Sequence, residues 1–134
     1  MSRVFFFIVS AILVGITFAQ QYEYRIANEC DRVAGVRELI TAYQNIGLKV
    51  ASSDAVDSAE QWLVDKYTSY GYEPYLDSFV VNGRWNTNVI AEKKGVDTTN
   101  WVIVGAHYDT RGQSPGANDN GSGVVGTLEI ARII

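Results

Sequence analysis

One cysteine, one histidine and two prolines are all that the 134 residues contain of these types. Cys30 has no mate within the sequence, so no internal disulfide can staple the fold. No proline-rich linker, internal repeat or low-complexity tract interrupts the sequence, which reads as one unit. Basic residues are also scarce. Lys and Arg number 11 against 15 Asp and Glu, a formal net charge of −4. Without a basic patch to neutralise phosphates, a nucleic-acid partner is excluded. With 47% hydrophobic residues over this length, one small domain with a core is possible.

The first feature present is a leader. Arg3 supplies a positive charge, Val4 to Ile16 is almost wholly apolar, and Thr17 and Ala19 place small residues before Gln20. This layout predicts a secretory signal peptide over residues 1–19 and a mature chain from Gln20 to Ile134. The apolar run is shorter than the ~20 residues of a spanning helix, so no stable membrane anchor is expected. Export would make Cys30 either a free thiol or half of a bridge to a cysteine outside this sequence. The last residues, LEIARII, carry an amphipathic helical pattern with no cap, glycine or proline to end it. They read as the interior of a longer protein.

Between these ends, Val33, Val36, Leu39, Ile40, Tyr43 and Ile46 fall at helical spacing, with Gly47 as a stop. Asp54 is placed to cap a second helix with apolar face Val56, Ala59, Leu63, the Lys66 stem and Tyr70, ended by Gly71. Pro74 to Val81 and Arg84 to Lys93 are strand-like, and Asn82-Gly83 between them signals a hairpin. Trp101 to Ala106 is apolar on both faces, as expected of a strand buried between helix layers. Gly116 to Gly123 reads as a loop and Val124 to Ile134 as a helix, which Gly121, Gly123 and Gly126 would let approach the sheet closely. The expected fold class is α/β, a mixed-sheet α/β/α sandwich, here truncated.

Chemistry concentrates where the apolar run stops. His107 and Asp109 lie at the carboxyl end of the expected strand, where open α/β sheets place their ligands. Residues i and i+2 of a strand share a face, so a carboxylate there can hold the second ring nitrogen of the imidazole and fix its tautomer. Asp119 follows on a loop rich in Gly, Asn and Ser, just before a helix. Asn118, Asp119 and Asn120 are all good helix caps, and a cap needs only one. A carboxylate on this loop can reach the strand end where His107 points, and imidazole with carboxylate suits zinc.

GAHYD followed by PGANDNGSGVVGTLEIAR resembles the first metal-binding segment of the co-catalytic zinc exopeptidases, the family of secreted leucyl-type aminopeptidases and glutamate carboxypeptidases. The resemblance is strong from about Asn88 to Ile134. It implies that His107 binds one zinc, that Asp109 orients His107, and that Asp119 bridges two zinc ions, with a cis peptide bond between Asp119 and Asn120. It further implies a Glu-Glu pair, the first the general base and the second a zinc ligand, with another acidic ligand and a final histidine, none of which can be assigned here. Glu129 lies inside the following helix and is no substitute. As given, the sequence is expected to be inactive. The complete protein is expected to hydrolyse terminal bonds of peptide or protein substrates with two zinc ions. Alternatives are a glutaminyl cyclase-like acyltransferase, a non-catalytic receptor-type domain of the same fold, or a small secreted binding module without metal. Asn120-Gly121-Ser122 also matches a glycosylation acceptor, but a sugar there would block the loop, so the match reads as chance.

The leader is directly testable. Intact-mass measurement of secreted material is expected to show a chain beginning at Gln20, with retention of residues 1–19 as the contrary result.

Overall fold

The computed structural model describes residues 21, 23–30 and 32–134. The leader and its cleavage site lie outside the described residues. The chain divides into two units, one ending at Val33 and the other running from Ala34 to Arg132. In the first, residues 23–30 are helical, Cys30 is free and exposed, and Arg32 stands 4.0 Å from Glu29.

The second unit holds the core. Helix α1 spans Val33–Asn45 and buries Leu39 and Tyr43. Val33, expected on the same apolar face, is exposed. Gly47 takes a φ of +98° and returns its N–H to the Gln44 carbonyl at 3.1 Å, a left-handed stop that glycine adopts without a Cβ clash. Helix α2 spans Asp54–Ser69 and buries Ala59 and Leu63. Its cap is Ser53 and not Asp54. Ser53 has the extended backbone of a cap, and its hydroxyl accepts the Val56 N–H at 3.3 Å. Asp54 is instead the first helical residue, where with Asp57 it meets the positive end of the helix dipole.

Strands β1 (Tyr75–Val81) and β2 (Arg84–Ile90) pair antiparallel from Tyr75↔Ile90 to Val81↔Arg84. Asn82 and Gly83 both adopt positive φ, 52° and 75°, the geometry of the tight hairpin turn whose twist matches its strands. The expected hairpin is present.

The expected third strand is not. Trp101 to Ala106 forms no ladder, and Val102 and Ile103 are about nine-tenths exposed, at 92% and 90%. A strand apolar on both faces needs neighbours at its edges and layers on both sides. Among the described residues the sheet is β1 and β2 alone. A cavity of about 320 Å³, lined by Val89, Ile90, Ile103, Val104 and Thr127, separates β2 from this run. The architecture is helices with one small two-stranded sheet. It is compatible with an α/β fold, and no layered sandwich is formed among the described residues.

Helix α3 spans Ser122–Ile133 and buries Val124, Val125 and Leu128. With Tyr43 and Leu63, Val124 and Leu128 form the core, and Trp62, Tyr67, Tyr70, Val89, Ala106 and Tyr108 pack around it. None of Gly121, Gly123 and Gly126 meets the sheet; a Cβ on Gly123 would meet the Asn120 side chain. A Cβ on Gly121 would come within 2.8 Å of the Tyr43 ring, whereas one on Gly126 would meet open space.

The cap assignment predicts an order of stabilities. Ser53→Ala is expected to cost about 1 kcal/mol through the lost cap. Asp54→Ala, which forfeits only a charge near the helix N-terminus, is expected to cost about 0.3–0.5 kcal/mol. Urea unfolding of the two variants checks the order.

Candidate metal centre

The segment after Ala106 keeps the alternation of a strand although it has no ladder partner. Tyr108 and Thr110 turn inward, while His107 and Asp109 are exposed. Each inward residue is anchored. The Tyr43 hydroxyl donates to the Tyr108 carbonyl at 3.0 Å, and the Tyr108 hydroxyl donates to the Thr87 carbonyl at 3.0 Å. The Thr87 hydroxyl in turn donates to Glu60 of α2. Buried Thr110 exchanges a reciprocal pair with Lys49. Its N–H reaches the Lys49 carbonyl at 2.9 Å, and its hydroxyl accepts the Lys49 N–H at 2.8 Å. Side chains i and i+2 therefore project together, as strand geometry requires.

The following loop brings Asp119 to the same place. Gly116 has a φ of 74°, and a Cβ there would stand 2.4 Å from the Thr110 methyl and 2.7 Å from the Asp119 carbonyl oxygen. Only glycine fits. Residues Ala117–Gly121 make one wide turn closed by the Gly121 N–H on the Gly116 carbonyl at 2.8 Å. Within it the backbone of Asp119 and Asn120 leaves helical geometry, and the peptide bond between them is cis. Asn120 then does the capping. Its Oδ1 accepts the Gly123 N–H at 3.2 Å and lies where a Cβ on residue 123 would be, 2.4 Å away. Asp119 is thereby free of the helix end.

His107 sits between the two carboxylates. Its Nδ1 lies 3.2 Å from Asp109 Oδ1 and 3.3 Å from the Asp109 carbonyl oxygen, and its Nε2 lies 3.1 Å from Asp119 Oδ1. When Nδ1 carries the proton and donates to Asp109, the Nε2 lone pair faces a carboxylate oxygen, two acceptors in contact. That arrangement calls for a positive charge between or upon them. Zinc fits the donor chemistry, and two ligand atoms at tetrahedral zinc distances stand about 3.3 Å apart. Among the described residues no group of three or more His, Cys, Asp or Glu is arranged to hold a metal ion. Glu129 does not add to the site, because its carboxylate is 2.9 Å from the Arg132 guanidinium. A cleft of about 920 Å³ between α2, the hairpin and residues 106–109 opens beside His107 and Asp109.

Beneath the site lie two residues whose importance the sequence hid. Tyr43 is 0% exposed. Burial first, then the carboxylates of Asp109 and Asp119, push its phenol up from 10.0 to about 12. Lys49 is also 0% exposed, and burial lowers its pKa. Helical spacing marked Tyr43 only as a core residue. Lys49 carried one faint signal, a lysine inside the apolar stretch IGLKVA.

Comparison with known proteins finds similarity over one stretch. Residues 88–134 match Peptidase family M28. The resemblance to the zinc exopeptidases read from GAHYD and PGANDNGSG is borne out there, and the M28 segment contains His107, Asp109 and Asp119. Leucine aminopeptidase 2 of Trichophyton equinum is 49% identical over 51 residues, 38% of this chain and 10% of that protein. The probable leucine aminopeptidase 2 of Aspergillus fumigatus is 43% identical over 60 residues, 45% of this chain and 12% of that protein. The probable leucine aminopeptidase 2 of Aspergillus oryzae is 39% identical over 66 residues, covering 49% and 13% respectively. The matched stretch thus spans about a tenth of the length of these curated relatives. No solved structure matches the chain.

The raised Tyr43 pKa gives a pH test on metal-free protein. The native state holds a proton that the unfolded chain releases near 10.0, so this contribution is complete below pH 10.0 and is lost as pH rises to about 12. Urea melts are expected to show wild-type stability falling across that window and a flatter response in Tyr43→Phe. At neutral pH the variant is expected to be less stable by about 1 kcal/mol for the lost hydroxyl bond.

Proposed function

We propose that the complete protein is a secreted, zinc-dependent exopeptidase of the aminopeptidase type that hydrolyses terminal peptide bonds within an α/β/α sandwich. The observation that carries this reading is the freedom of Asp119. Asn120 takes the cap of α3, while the Asp119 carboxylate stands 3.1 Å from His107 Nε2. A carboxylate whose only task was to cap the helix would have no reason to face an imidazole nitrogen.

In this reading His107 Nε2 and Asp119 would hold zinc, and Asp119 would also serve a second ion. Asp109 accepts from Nδ1, which fixes the ring and leaves Nε2 unprotonated as a donor to metal. Bound zinc supplies a Lewis acid for the scissile carbonyl and lowers the pKa of water. Two protein ligands are fewer than the three that a catalytic zinc takes, so residues 1–134 alone are not expected to catalyse. The relatives matched over this stretch are named leucine aminopeptidases, which supports the aminopeptidase type. Export rests on the leader. Among the described residues, no helix is long and apolar enough to cross a membrane.

Zinc content and peptidase activity of the full-length protein test the assignment together. His107→Ala and Asp119→Ala are expected to lose zinc and abolish hydrolysis, Asp119→Ala more severely because it serves both ions. Asp109→Asn keeps the shape of the side chain and is expected to lose about 10–100-fold in metal affinity or activity. A wild-type protein without zinc, or an active Asp119→Ala enzyme, overturns the reading.

A further inference from the structure

Lys49 is a fully buried amine held by main-chain carbonyls. Its Nζ donates to the carbonyls of Gly47 at 2.8 Å, Pro115 at 2.9 Å and Tyr43 at 3.2 Å. An ammonium has three N–H donors, and all three are used. The same group lies 3.9 Å from the centroid of the Tyr43 ring, a cation–π contact that favours the charged form. Two of the three carbonyls belong to the end of α1 and its stop. That helix has no basic residue in its last turn, so Lys49, from outside the helix, supplies the cation that a helix C-terminus favours.

The third carbonyl gives the arrangement its meaning. Pro115 immediately precedes Gly116, where the wide turn carrying Asp119 begins. The backbone of Lys49 is meanwhile bonded in both directions to Thr110, which follows Asp109. One residue therefore grips the His107–Asp109 segment through its main chain and the Asp119 loop through its side chain. No ladder joins those two segments, and each is irregular backbone. We propose that Lys49 is a positioning residue that sets Asp119 against His107. It anchors Pro115 and Thr110 to the end of α1 and so fixes the distance across which the pair would take up zinc. It touches neither metal nor substrate. This assignment rests on the zinc reading for its consequence, though not for its geometry.

Lys49→Met keeps the apolar stem of the side chain and removes the three N–H donors. Two measurements on the full-length protein decide the matter, with Leu63→Ala as a control that loosens the core away from these bonds. In metal-free protein, hydrogen exchange read by mass spectrometry is expected to accelerate at least about tenfold over residues 111–121 in Lys49→Met, with α2 unchanged. Leu63→Ala is expected to accelerate α2 as well. In chelator competition, zinc affinity is expected to fall about 10–100-fold in Lys49→Met, the size of effect seen when the support of a ligand is lost. Thr110→Val, which removes only the acceptor of the Lys49 N–H, is expected to show the same pattern more weakly and serves if Lys49→Met does not fold.

Equal acceleration in α2 and in residues 111–121 would reduce Lys49 to a general stabiliser and overturn the proposal. So would unchanged zinc affinity in Lys49→Met beside a wild type that loads zinc and a His107→Ala that does not. A wild type that never binds zinc defeats the functional reading instead, and the exchange experiment still decides whether Lys49 positions the loop.

Discussion

Tyr43 is the side chain around which the second unit is assembled, and each of its parts makes a separate connection. The ring is fully enclosed and packs against Leu63, Val124 and Leu128 in the core, with Trp62 tilted beside it at 6.1 Å. The hydroxyl holds the main chain between His107 and Asp109. The carbonyl accepts from the Lys49 ammonium, which also lies over the ring. The edge of the ring leaves no room for any side chain on Gly121, the residue that hands the wide turn over to α3. Burial of one large aromatic thus fixes where the site's two segments can run.

Such dependence on side chains is unusual for a site at the end of an apolar run. In an open α/β sheet the ladder itself positions the strand ends. Here the sheet stops at β2, and a cavity separates it from residues 103–106. Hydrogen bonds from Tyr43, Lys49, Thr110 and Tyr108 take over what main-chain pairing would otherwise do. Polar networks of this kind are effective only when complete, since each buried donor left over would cost more than a bond gains. Among the described residues no buried side-chain nitrogen or oxygen lacks a partner.

Local signals in the sequence translated well. The periodicity of Leu39 and Tyr43, the stop at Gly47 and the Asn82-Gly83 turn each depend on a few neighbouring residues, and the structure follows them. The error at the start of α2 is equally local. Ser53 and Asp54 are both competent caps, and only backbone geometry separates them. Trp101–Ala106 failed for a different reason, because being a strand is a relation to other strands and its apolar pattern names none. The constellation of His107, Asp109 and Asp119 was legible because chemistry, spacing and a family resemblance coincided. Lys49 was not legible, since its partners at Tyr43 and Pro115 are joined to it only by the folded chain. Asn120 could be read as a cap, but not as the one that releases its neighbour.

The exposed run at Trp101–Val104 bears on how this protein behaves in a crowd. It is uncharged, rich in β-branched residues and free of proline, and its main chain has no ladder partner. These are the attributes of a segment that seeds intermolecular β-pairing when about six such residues stay uncovered. Lys93, Lys94 and Asp97 lie just upstream, and charges so placed act as gatekeepers against stacking of like segments. The interval in the life of each molecule during which this run is open to solvent therefore sets its risk of aggregating.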